Sequence, residues 1–68
     1  MDTQAILANN IKRMIRDRGL KQRFIAERAG FEENTFSNML NGRKIIRAEY
    51  IPIIANALGV TANDLFKA

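Results

Sequence analysis

Residues 22–44 read QRFIAERAGFEENTFSNMLNGRK, two short periodic stretches separated by a single glycine. In the first, Ile25, Ala26 and Ala29 fall on one side at helical spacing, and Gly30 follows where such a helix stops. In the second, rotation of about 100° per residue gathers Thr35, Phe36, Met39 and Leu40 on one arc. Glu33, Asn34, Ser37, Asn38 and Asn41 fill the opposite arc. The spacing predicts helices over Gln22 to Ala29 and about Glu33 to Leu40, the second ending at Asn41-Gly42. Every member of the polar arc is short. An ordinary exposed helix face is rich in Lys, Arg, Glu and Gln, whereas Asn and Ser compete with the backbone for hydrogen bonds and are tolerated there at a cost. A demand other than helix stability selected this face.

Two helices joined so closely cross near a right angle only where the corner is small, which Ala26 inside the first helix and Gly30 at the turn both provide. This is helix-turn-helix spacing. The second helix then projects from the body, and its short outer side chains can approach base edges in a DNA major groove. There Asn pairs bidentately with adenine and Glu accepts from cytosine. A merely solvated helix face is the competing reading of the same arc, and the surrounding motif weighs against it.

The rest of the chain is punctuated in the same way. From Thr3 to Arg18, Leu7, Ala8, Ile11, Met14 and Ile15 form an apolar stripe, with Lys12, Arg13 and Arg16 on the other side as a solvated face. Gly19 can stop this helix in the left-handed conformation, with Leu20 folding back on Ile15. Lys21 stands where a short oxygen-bearing side chain would cap the next helix. Phe31 is expected to plug the core, and Phe24 reads equally as a surface hydrophobe, a partner contact or part of the core. The basic connection Arg43 to Arg47 leads to a fourth helix predicted over about Glu49 to Leu58, with Pro52 in its first turn. Ile51, Ile54, Ala55 and Leu58 supply its stripe and Gly59 ends it. Thr61 and Asp64 have capping-box spacing at the start of a fifth segment, where Val60 can staple onto Leu65. No strand pattern, internal repeat or linker interrupts this reading, so residues 1–68 are expected to form one all-α domain.

Composition narrows the function. The 68 residues contain neither cysteine nor histidine, which removes disulfides and the usual thiolate and imidazole zinc ligands. Ser37 is the only serine and has no histidine to activate it, while Asp2, Asp17 and Asp64 are scattered, so no catalytic role is assigned. No cofactor, metal or small-molecule ligand is expected. The amino terminus has no signal-peptide pattern and no apolar run is long enough for a membrane, which predicts a cytoplasmic protein. The net charge of +4 favours a polyanionic partner, and the excess lies in residues 1–30, with seven cations against three acids.

On the segments 22–41 and Tyr50-Ile-Pro-Ile-Ile-Ala-Asn-Ala-Leu-Gly-Val60, the sequence resembles the phage repressor and Cro helix-turn-helix family, also called the XRE family, over about Ile11 to Phe66. The resemblance implies a five-helix, lambda-repressor-like domain that binds double-stranded DNA as a homodimer on a two-fold symmetric operator and regulates transcription, as a repressor in the favoured reading. Carried over by position, Gln22 would bond a phosphate at the start of the second helix. Asn41, Arg43 and Lys44 would grip phosphates beyond the third, and Arg47 would reach the DNA backbone. Glu33, Asn34, Ser37 and Asn38 would read bases, with Glu32 and Thr35 flanking them. Val60, Leu65 and Phe66 are candidates for the dimer contact.

Some positions depart from the family. Lys21 and Glu32 replace the small hydroxyl residues usual before the second and third helices, and Glu32 and Glu33 set two acids towards a polyanion. Where many relatives pair an arginine of helix one with a glutamate ending helix three, this chain has Ile15 and Leu40, which predicts an apolar contact in place of an ion pair. A rival reading keeps the fold and changes the partner: a protein-interaction module such as an antitoxin or regulatory subunit, docking through Phe24, Phe66 and the paired acids.

Overall fold

The computed structural model describes residues 2–67, so the two ends of the expected 1–68 domain lie outside the described residues. Among the described residues five α-helices run in the order α1 Thr3–Asp17, α2 Gln22–Ala29, α3 Glu33–Leu40, α4 Ile51–Leu58 and α5 Ala62–Phe66, with a single 3-10 turn at Ala48–Tyr50. The described residues contain no strand, and none of their helices is long and apolar enough to cross a membrane. The fold is the expected all-α five-helix arrangement.

Local chemistry fixes the boundaries. Asp2, outside the apolar pattern that marks the helix, starts α1 by accepting the Ala5 amide on Oδ1 at 2.7 Å. At the other end Gly19 and Leu20 donate to the carbonyls of Arg16 and Ile15 at 3.1 and 2.9 Å, the Schellman pattern expected there. The predicted start of the fourth helix at Glu49 needs correction. Pro52 has no N–H to donate to the Ala48 carbonyl, so an α-helical ladder cannot be carried back through that turn. The backbone instead closes a tighter turn, with the Tyr50 amide on the Arg47 carbonyl at 2.9 Å, and α4 begins at Ile51.

The apolar stripes meet in one core. Leu7, Ile11, Ile25, Phe36, Leu40, Ile54 and Leu65 are almost wholly removed from solvent, one or more from each α-helix. α1 packs on α3 and α5, α2 on α3 and α4, and α4 on α5. Ile15 and Leu40 are both buried in this core. Phe31 closes one side, stacked on Phe36 with centroids 6.0 Å apart and edge-on to Tyr50 at 4.9 Å. Phe24 is not part of the core: it is half exposed, with the Arg28 guanidinium over its ring at 5.5 Å.

Several cations of the first thirty residues hold the fold itself. Arg18 donates to the Leu58 carbonyl at 2.6 Å and Arg28 to the Ala57 carbonyl at 3.2 Å, satisfying acceptors that the end of α4 leaves free. Asn10 lies on the buried side of α1, where its Nδ2 donates to the carbonyls of Leu65 and Lys67 at 2.7 and 2.6 Å. Its Oδ1 accepts from Arg13 at 3.0 Å. The short α5 is thereby tied to α1 by polar bonds as well as by Leu65.

α5 begins with the expected capping box: Asp64 Oδ2 accepts the Thr61 amide at 3.0 Å, and Thr61 Oγ1 accepts the Asp64 amide at 3.3 Å. Bonding from the Thr61 backbone, aided by the Lys67 ammonium 3.0 Å away and by the Thr61 hydroxyl, lowers the Asp64 carboxyl from 3.8 to about 2. An unfolded chain takes up this proton at higher pH than the folded one, so the box stabilises above the ordinary aspartate range and fails as pH falls towards 2. The loss of urea midpoint between about pH 5 and about pH 2.5 is therefore expected to be smaller in Asp64→Asn than in the wild type. Equal losses would assign the acid sensitivity to other carboxylates.

Candidate nucleic-acid interface

The site is built on α3. Its apolar arc, Phe36, Met39 and Leu40, is buried, so the opposite arc must face away from the core. Glu33 and Asn34 are exposed, and Ser37 and Asn38 are half-buried along the same side. Glu32 is exposed ahead of the helix, and Thr35, on the core-side arc, is half-buried. Asn41 is exposed, and its Nδ2 donates to Ser37 Oγ at 3.3 Å. The hydroxyl of Ser37 remains able to donate elsewhere.

Gly42 joins this helix to the basic connection. With φ at +77°, a left-handed conformation that side chains strain to adopt, it turns the chain back on the end of α3. The Gly42 amide then bonds the Met39 carbonyl at 3.3 Å, while the Arg43 and Lys44 amides both reach the Asn38 carbonyl, at 2.8 and 3.2 Å. Asn38 is thus the residue on which the amide face and the two cations converge. Both cations are exposed, and among the described residues neither has a carboxylate partner. Arg47 is also exposed and pairs with Glu49 at 3.6 Å, an ion pair so open to water that it holds the guanidinium only weakly.

The other expected residues are placed unevenly. Gln22 is half-buried in the first turn of α2, and neither Lys21 nor Glu32 supplies a side-chain cap to the helix it precedes. The free amides at both helix starts can receive oxygen acceptors from outside. Among the dimer candidates, Phe66 is exposed and Val60 half-buried, but Leu65 has no exposed surface. Its side chain completes the core between α1 and α4, and we remove it from the contact set. Among the described residues no group of three His, Cys, Asp or Glu side chains gathers in metal-binding proximity.

Two residues tied to this architecture went unremarked in the sequence. Asn10 interrupts the Leu7, Ile11, Met14 stripe at a position that must face inward, a visible sign of a buried amide with a structural task. Gln4 gave no such sign, because a glutamine in the exposed first turn of a helix is an ordinary helix former.

Comparison with known proteins agrees with this fold. The family model of the Cro/C1-type HTH DNA-binding domain matches residues 10–68. A curated protein of Sinorhizobium fredii, the uncharacterized HTH-type transcriptional regulator y4dJ, is 31% identical over 65 residues, covering 96% of this chain and 84% of its own length. The crystal structure of the hypothetical transcription factor NHTF from Neisseria superposes with a TM-score of 0.88 at 30% identity, over 97% of this chain and 76% of that one. The clp gene regulator ClgR from C. glutamicum shares the fold, with a TM-score of 0.87 at 23% identity over 96% and 84% of the two chains.

Proposed function

The chain belongs to the Cro/C1-type HTH DNA-binding family, and we propose on that footing that it is a cytoplasmic transcriptional repressor that binds a two-fold symmetric operator as a homodimer. The observation that carries this reading is the junction at Asn38: a solvent-facing row of amide, hydroxyl and carboxylate side chains that runs directly into two cations without carboxylate partners among the described residues. Cations on a backbone that is itself bonded to the reading helix set the depth and register of that helix in the groove.

In this reading α3 lies in the major groove. Asn34 and Asn38 pair with adenine edges, Glu33 accepts from a cytosine amine, and Ser37 bonds either base type. Glu32 and Thr35 flank these contacts. Arg43 and Lys44 hold phosphates on one side, with Asn41 and Arg47 beyond them. Gln22 and the uncapped start of α2 hold a phosphate on the other. The molecule is 28 Å in its longest dimension, while successive major-groove turns on one face of DNA lie roughly 34 Å apart. One copy with one α3 reads one half-site, and a second copy is needed for the next. Phe66 and Val60, at the α5 end of the molecule, are the proposed contact between copies.

Selection of bound duplexes from a random pool tests both halves of the proposal. The expected product is a pair of inverted half-sites with centres about 10 base pairs apart. Asn38→Ala is expected to lose preference at one base pair in each half-site, worth about 1–3 kcal/mol, while retaining its affinity for random duplex. Single asymmetric sites would defeat the dimer, and equal losses on selected and random duplexes would defeat the base-reading role of Asn38.

A further inference from the structure

We propose that Gln4 is a positioning residue for DNA binding, its carboxamide clamping the basic connection to α1 so that Arg43 and Lys44 are presented beside α3. This rests on the DNA-binding reading above. Gln4 Nε2 donates to the Ile46 carbonyl at 3.0 Å, and the Ile46 amide donates to Gln4 Oε1 at 2.7 Å. Both halves of one side-chain amide are therefore spent on both backbone groups of a residue 42 positions away. The pairing imitates one rung of a β-ladder.

Residues 43–47 have no regular structure in which to satisfy their own backbone, so they depend on such outside partners. At one end the Asn38 carbonyl receives the Arg43 and Lys44 amides; at the other Gln4 holds Ile46. Packing does less here. Ile45 is two-thirds exposed, and an open groove of about 440 Å³, floored by Ala8 and Met39, separates the start of α1 from residues 42–45. The Ile46 side chain is buried and fixes where that residue sits, yet a buried side chain leaves the adjoining peptide planes free to rotate. The paired bonds fix those planes, and with them the direction in which the chain leaves Ile45, next to Lys44, and enters Arg47. Gln4 is anchored for this task by Asp2, which caps the turn it belongs to.

Gln4 is itself exposed and both of its bonds to Ile46 are only partly buried, so water can reach the Ile46 backbone when it is removed, and the fold should survive. The test uses the full chain with Gln4→Met, which keeps length and helix propensity and removes both bonds. The Ile46 amide is expected to lose hydrogen-exchange protection while the thermal midpoint moves by only a few degrees. Affinity for selected and random duplexes is expected to fall alike by up to about eightfold at about 0.1 M salt, with a salt slope shallower by up to about 0.9, the worth of one phosphate contact. Because Gln4 acts through the cations, the same substitution in an Arg43→Gln/Lys44→Gln background should have little further effect. Unchanged affinity and slope in Gln4→Met, or an equal loss in both backgrounds, would overturn the positioning role while leaving the DNA-binding reading intact. A wild-type chain that binds no duplex would instead overturn that reading, and this inference with it.

Discussion

Replacing Arg43 and Lys44 together by glutamine is expected to weaken binding to every duplex, selected or random, by about sixty-fold at about 0.1 M salt, with the difference vanishing towards 1 M. Each phosphate neutralised by a cation releases condensed counterions and contributes about 0.9 to the slope of log affinity against log salt, so the loss of two flattens that slope by about 1.8. Both side chains are exposed, and among the described residues neither has an acidic partner whose loss could disturb the fold. The glutamine variant should therefore melt with the wild type. Titration of labelled duplex at four or five salt concentrations measures the slope directly. A variant with an unaltered slope would move the phosphate contacts elsewhere. A wild-type chain whose binding ignores salt would favour the protein-interaction module, since docking through Phe24 or Phe66 releases no counterions.

The second large effect arises in the core, away from the proposed DNA contacts. Phe36→Ala is expected to cost about 3–5 kcal/mol, the range for removing a fully buried aromatic ring. At about 0.05–0.15 kcal/mol per residue, a chain of this length has only about 3–10 kcal/mol in total. Towards the lower end of that range, much of the population should then be unfolded at room temperature. Phe36 has no exposed surface, lies on the face of α3 that packs against α1 and α2, and stacks on Phe31. Its loss therefore releases α3 from the body that holds it. Circular-dichroism melts would show the collapse, and duplex at about a hundred times its dissociation constant should restore about 2.7 kcal/mol, because only the folded state binds it. A melting point within a few degrees of the wild type would show that Phe31 and Tyr50 refill the space.

Much of this was legible in the chain because it depends on neighbours in sequence. Gly30 and Gly42 end their helices through bonds made within six residues, and the Thr61–Asp64 box spans four, so residue type and spacing suffice to foresee them. The polar arc of α3 was readable for the same reason: helical periodicity sorts the residues from Glu33 to Leu40 into two faces, and their chemistry shows which one enters the core.

What lay beyond the sequence were the pairings between residues far apart in it. The basic excess of residues 1–30 looked like a charge awaiting a partner, but Arg18 and Arg28 are engaged on the last carbonyls of α4, 40 and 29 positions away. Leu65 and Phe66 are adjacent apolar residues, and only the docking of α5 onto α1 decides that the first is core and the second surface. Gln4 is the plainest case. Its composition and position fix nothing beyond a tolerated first-turn residue, and its clamp exists because the packing of α3 on α1 carries Ile46 within reach. Local hydrogen bonding and periodicity are properties of a few consecutive residues, and the sequence alone determined the helices, most of their ends and the polar face that α3 turns outward. Contacts across the core depend on where whole helices come to rest, and the tertiary structure alone decided which cations stay free and what holds them in place.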